Sequence, residues 1–309
     1  MKKQTITGML LLFLASIVWG VAFVAQSVGT NHLNAFAFNC IRNAIGVVVL
    51  LPVLFVTRTM SKRRLANSAA TTSKIPPLFS KDLLSGGTLC GVALFIASNF
   101  QQLGIEHSTV GKSAFITTLY IVFVPIMGIF LKKRVSLQVW ISVALAMVGL
   151  FLLCMKNEVF VLELGDIYLI LCAFFFTIQI LCVDHFVHKV DGIALSIMQF
   201  LVTAVLSGVG MIFADLPSWS DIVNAAIPLL YAGAISSGVG YTLQIVGQKM
   251  LPSTVASLIM SLESVMAALA GWLILNEVLS EKELFGCILV FAAVILTQLP
   301  LKGFVKNLT

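Results

Sequence analysis

Charge is what this chain has least of. Only 10% of its 309 residues are Asp, Glu, Lys or Arg, against 59% hydrophobic ones, whereas soluble domains carry about 25% charged residues. A water-soluble fold is therefore excluded. The six cysteines, Cys40, Cys90, Cys154, Cys172, Cys182 and Cys287, all fall in apolar stretches, with no Cys-x-x-Cys pair and no histidines at ligand spacing. Neither a disulfide framework nor a metal site is indicated, and no cofactor is expected. No phosphate-binding glycine loop and no nucleophile beside a base can be found either, which argues against an enzyme. The apolar runs lack the alternating polarity of barrel strands. No stretch is left over for a sizeable soluble domain, which argues against a receptor.

What is abundant is apolar sequence in lengths near 20 residues, enough to cross a hydrocarbon core of about 30 Å as a helix. Ten such spans can be placed: Ile6–Val24, Ala35–Val56, Leu83–Leu103, Ser108–Leu131, Val135–Met155, Ile167–Val183, Gly192–Ala214, Ile222–Gly247, Val255–Leu275 and Leu284–Leu299. The expected fold is an all-α integral membrane protein with ten transmembrane helices. The first run is longer than a signal-peptide core and lacks a clean cleavage site, so it reads as a retained helix. With the N-terminus inside, fifteen of the nineteen basic residues face the cytoplasm, Lys156 and Lys282 lie outside, and Arg42 and Lys112 fall within spans. The net charge of +6 is thus a topogenic feature beside lipid headgroups and not a nucleic-acid surface. A multi-pass protein of the cell membrane with both termini cytoplasmic is expected.

The two halves resemble each other. Gly8, Asn34, Ala37 and Arg42 stand 157 residues before Gly165, Asp191, Ala194 and Gln199. Ser108-Thr109-Val110 parallels Ser253-Thr254-Val255, and after a small gap Gly128 parallels Gly271. Residues 1–156 and 164–301 are read as two five-helix repeats. Because five is odd, the second repeat enters the membrane from the opposite side, and inverted units of this kind hold a site between them near the midplane. The loop at 57–82 is basic, rich in Ser and Thr and closed by Pro76-Pro77, and reads as a cytoplasmic linker.

Polar residues within spans need an explanation in each case. Arg42 and Lys112 can snorkel, pair or contact a ligand. Glu263 lies near the middle of its span, and a short carboxylate cannot reach far; proton coupling and a helix–helix hydrogen bond are its two readings. Asn99, Gln101, Gln102, Gln179, Gln199 and Gln244 form an uncharged set, and Trp19, Tyr120 and Tyr241 are candidate stacking walls. Apart from Gln101, these side chains and the three ionisable ones are the candidate substrate-pathway residues.

The segment Ser261–Ser280, SLESVMAALAGWLILNEVLS, resembles the signature of the EamA-type drug/metabolite transporter superfamily. Ile17-Val18-Trp19-Gly20, Arg42, FITTLYIVFVPIMG (Phe115–Gly128) and YTLQIVGQK (Tyr241–Lys249) match the same pattern. The resemblance implies an inverted-repeat fold whose central cavity is walled by spans one to four and six to nine, with five and ten peripheral. It also implies export of amino acids or other metabolites; relatives move nucleotide sugars, triose phosphates or cationic drugs. Two departures stand out. Arg134 occupies the position of Glu277 in the second repeat, leaving a basic Lys132-Lys133-Arg134 corner, and Ser264 replaces a proline, which is expected to straighten span nine. The expected function is secondary-active, alternating-access export of a small polar metabolite such as an amino acid; the alternative is a membrane-embedded enzyme, a signalling protein or a transporter of other solutes.

Overall fold

The computed structural model describes residues 3–66, 77, 80–154, 163–275 and 280–299, and among these every regular element is helical. Helices α1 (Lys3–Thr30), α2 (Ala35–Ala66) and α3 (Lys81–Glu106) are long and continuous. A fourth span is made of two pieces, α4 (Val110–Thr117) and α5 (Tyr120–Phe130), and is followed by α6 (Leu137–Cys154), α7 (Leu164–Phe186) and α8 (Gly192–Phe213). A short surface helix α9 (Trp219–Asn224) leads into α10 (Ala226–Leu230), a π-helical segment Tyr231–Tyr241 and α11 (Thr242–Gln248), which run on as one span. The chain ends with α12 (Ser253–Met260), α13 (Leu262–Leu275) and α14 (Glu281–Gln298). Among the described residues eight stretches are long and apolar enough to cross a membrane, and α6 is a shorter apolar helix.

Three expectations change. The second helix does not stop at Val56 but continues to Ala66, because Met60-Ser61-Lys62-Arg63-Arg64-Leu65-Ala66 is mostly made of good helix formers, and Thr57 and Thr59 bond back to Val53 and Phe55. Much of the supposed linker is thus helix; residues 67–76 and 78–79 lie outside the described residues, as do Lys156 and Glu277. The eighth span starts at Ala226 and not at Ile222, since a Ser218–Asp221 capping box nucleates the separate helix α9. The ninth span is not one unbroken helix. It turns at Ser261, whose hydroxyl bonds to the Leu258 carbonyl at 2.7 Å, so a serine back-bond tightens the helix where a proline is missing.

Packing is dominated by close helix approach at small residues, the usual means of association where lipid gives no hydrophobic driving force. α3 packs on α7 and α8, α2 on α8 and the π segment, α1 on α13, α11 and the π segment, and α6 on α14. Contacts recur in pairs. A Cβ on Gly247 would lie 2.8 Å from Leu12 Cγ and 3.2 Å from the Gly8 oxygen; one on Gly104 would lie 2.4 Å from Leu169 Cγ and 3.1 Å from the Gly165 oxygen. Likewise a Cβ on Gly233 would lie 2.6 Å from Ile45 Cβ and 2.9 Å from the Arg42 oxygen, and one on Gly91 2.6 Å from Val202 Cβ and 2.8 Å from the Gln199 oxygen. α6 and α14 approach through Gly149 and Gly286, where an added Cβ would lie 2.8 and 2.5 Å from the other glycine's carbonyl oxygen. The central space lies inside the bundle, between α1, α2, α3 and the broken spans.

Candidate functional site

Arg42 sits about two turns into α2 and is only 3% exposed, so it does not snorkel to the surface. Its Nη1 donates to Gln26 Oε1 at 2.8 Å, its guanidinium carbon lies 5.9 Å from the Phe38 ring, and its Nε has no hydrogen-bond partner. A permanent positive charge is thus held in the bundle by a neutral amide and an aromatic face. Glu263 lies in the first turn of α13, just beyond the Ser261 turn, and is 5% exposed. Its Oε1 accepts the Tyr120 hydroxyl at 2.8 Å. Among the described residues neither Arg42 nor Glu263 takes part in an ion pair.

Both charges line one cavity with a free volume of about 40 Å³. Trp19 packs at 4.9 Å against Tyr241 with the rings tilted by 60°, and Tyr241 meets Phe200 edge-on at 5.6 Å. Gly240 gives the indole its place, since a Cβ there would lie 2.7 Å from Trp19 Nε1. On the far wall Gln244 donates to Gln179 and Gln179 donates to Gln199, each at 3.2 Å. The amide chain leaves Gln244 Oε1 and Gln199 Nε2 without partners, and Trp19 Nε1 and Thr117 Oγ1 are also unpaired. Buried polar atoms are ordinarily satisfied, and the cavity-lining residues Trp19, Arg42 and Gln244 hold two donors and an acceptor that are not.

Seven of the eleven candidate residues therefore meet here: Trp19, Arg42, Tyr120, Gln179, Tyr241, Gln244 and Glu263. The other four lie elsewhere. Gln199 joins the amide chain from behind, Gln102 donates to the Gln26 carbonyl at 3.1 Å, and Asn99 binds Asn39 and Ser207, each at 3.2 Å. Lys112 pairs with Asp166 at 2.9 Å and Glu163 at 3.3 Å, tying the start of α4 to the start of α7. At the opposite end of the same two spans Lys133 pairs with Asp184 and lies 3.5 Å from Ser253 Oγ.

Asp166 is fully buried, and removing its charge leaves the Lys112 ammonium only the exposed Glu163 carboxylate as an ionic partner. Asp166→Asn is expected to cost about 3 kcal/mol of stability, and adding Lys112→Met should recover most of it. Thermal unfolding in detergent checks this; a double variant as unstable as the single one would contradict it.

Several wall residues were not among the candidates. Gln26 lies beyond the expected end of the first span, but α1 runs on to Thr30 and carries it into the cavity. Gln101 stood in the polar set without distinction from its neighbours. Thr117, Phe176, Ser236 and Met260 carry no sequence signal for a site, being ordinary residues of a membrane helix.

The EamA-like transporter family matches residues 6–155 and again 163–299. An uncharacterised transporter of Archaeoglobus fulgidus is 27% identical over 294 residues, covering 93% of this chain and 84% of the relative. The uncharacterised transporter YoaV of Bacillus subtilis is 22% identical over 281 residues, covering 89% and 91%. A crystal structure described only as that of a protein superposes with a TM-score of 0.72 at 15% identity, over 94% of this chain and 96% of the other, a likeness of fold alone.

Proposed function

The chain belongs to the EamA-like transporter family, and from that membership we propose that it is a secondary-active exporter of zwitterionic metabolites, amino acids foremost, working by alternating access. One observation carries the reading. Arg42 and Glu263 wall the same cavity, each hydrogen-bonded to a neutral partner. A ligand with a carboxylate and an ammonium group satisfies both: the carboxylate meets the Arg42 and Trp19 donors, and the ammonium meets Glu263 and Gln244 Oε1. Opposite charges held apart across a water-poor space favour such a dipole over a simple ion, whose approach to one charge the other opposes.

At about 40 Å³ the cavity has room for a few water molecules and not for an amino acid, so transport requires the bundle to open. The scaffold we propose for that motion is ten spanning helices in two five-helix halves, 1–156 and 164–301, of opposite orientation, with both termini cytoplasmic. The paired glycine contacts support it, since Gly8/Leu12/Gly247 and Gly165/Leu169/Gly104 are the same contact made twice. Proton exchange at Glu263 supplies the coupling in this scheme, because it is the carboxyl at the cavity wall.

Purified protein in liposomes should accumulate at least one of the twenty amino acids in counterflow. Glu263→Gln should slow that transport by about tenfold to a hundredfold and flatten its pH dependence. Movement of cationic drugs or nucleotide sugars with no amino acid moved would overturn the substrate class; wild-type transport and pH dependence in Glu263→Gln would remove the carboxyl from coupling.

A further inference from the structure

The hydrogen bond from Tyr120 to Glu263 joins two positions that are each other's equivalents. α4 and α12 are each eight residues long, and each is followed by a turn, at Thr118-Leu119 and at Ser261. A step of 143 residues, the one that also relates Gly128 to Gly271 and two shorter than that between the Ser-Thr-Val runs, carries the first residue of α4 onto the first of α12, Thr117 onto Met260 and Tyr120 onto Glu263. The same step carries Gly104 onto Gly247, which make matching contacts. Thr118 and Ser264 also bond here, 2.6 Å between hydroxyls, but they map onto Ser261 and Ile121 and are not equivalents of each other.

In a protein whose two halves exchange conformations between inward-open and outward-open states, a contact between equivalent positions maps onto itself. Other contacts do not. Lys112 and Asp166 map onto Val255 and Met9, and Arg42 and Gln26 map onto Gln199 and Val183, pairs that cannot form the same bond. Exchange therefore changes the surroundings of those groups while leaving the contact between Tyr120 and Glu263 as it is.

We infer that Tyr120 is a positioning residue that keeps its hydrogen bond to Glu263 in both states, so that the carboxyl stays at the centre while access alternates around it. The inference rests on the inverted-repeat reading and on Glu263 as a cavity group. The titratable and charged side chains around that carboxyl are Tyr120 from α5, Cys172 from α7 and Tyr241 from the end of the π segment; α2 brings Arg42 to the same cavity, and α1 the uncharged Trp19 and Gln26. Tyr120 is the one of these hydrogen-bonded to Glu263. Without the phenol the carboxyl has no fixed rotamer in a cavity that must accept ligand from two directions.

The chain has four tyrosines, Tyr120, Tyr168, Tyr231 and Tyr241, so the full-length protein labelled with 3-fluorotyrosine in lipid nanodiscs gives four fluorine resonances, each assigned by its loss in a Phe variant. The Tyr120 resonance should follow a pH transition that disappears in Glu263→Gln. It should hold its position when the ion pairs at the two ends of α4–α5 and α7 are cut, by Asp166→Asn at one end and Lys133→Gln at the other; the second variant serves if the first folds poorly. In liposomes, Tyr120→Phe should shift the midpoint of the transport pH profile by about one unit with the folded yield unchanged. A Tyr120 resonance blind to pH, one that moves when either ion pair is cut, or a wild-type pH profile in Tyr120→Phe overturns the inference. If no amino acid is transported and the Tyr120 titration is intact, the substrate reading fails and this contact stands.

Discussion

Arg42→Gln is expected to lose substrate affinity by about thirtyfold to several thousandfold while leaving thermal stability unchanged or raised. The first half follows from the loss of one partner in a buried, charge-assisted contact, which costs about 2 to 5 kcal/mol. The second follows from what Arg42 has around it. Its bonded partner is the neutral Gln26 amide, so no ion pair within the protein offsets the desolvation of the guanidinium. A residue whose removal helps the fold and ruins binding is held for its ligand, as functional sites often are. Counterflow affinity and melting temperature, measured on the same preparation, separate the possibilities. A fall in melting temperature with affinity retained would make Arg42 a structural residue and undo the carboxylate anchor.

The second large effect lies one residue from the cavity wall. A Cβ on Gly20 would stand 2.4 Å from Met266 Cβ, 2.6 Å from the Met266 carbonyl carbon and 2.7 Å from the Ala267 nitrogen. Two of those three atoms are backbone of α13 and cannot rotate away, so α1 and α13 must separate. Gly20→Val is expected to cost about 3 kcal/mol or more, enough to empty the folded fraction of a marginally stable protein. Fluorescence-detected size exclusion should show aggregate in place of a symmetric peak, with Gly20→Ala intermediate. Separation would also carry Trp19 off Tyr241, so any folded remainder should transport poorly. A symmetric peak and normal transport in Gly20→Val would mean that the two helices do not pack this way.

Much of this architecture is legible before any coordinates. Apolar runs mark helices because each residue's transfer into lipid is a local property, and the matching positions 157 residues apart announce the duplication. Local reading failed where a second element competed. The serine back-bond at Ser261 outweighed the missing proline, and the cap at Ser218 claimed Ile222 and Val223 for a separate helix. Arg42 and Lys112 looked alike in the sequence, two cations a short distance inside their spans, yet one is turned into the cavity and the other is paired with Asp166.

The scarcity of charge by itself determined that this chain lives in lipid, that its backbone is helical, and that each ionisable residue within a span needs a reason to be there. Tertiary structure alone decided which reason applies. Glu263 meets a tyrosine 143 positions away and Lys112 an aspartate 54 positions away, because partners are set by how helices distant in sequence pack at their glycines. Polarity belongs to single residues, whereas partnership belongs to the bundle.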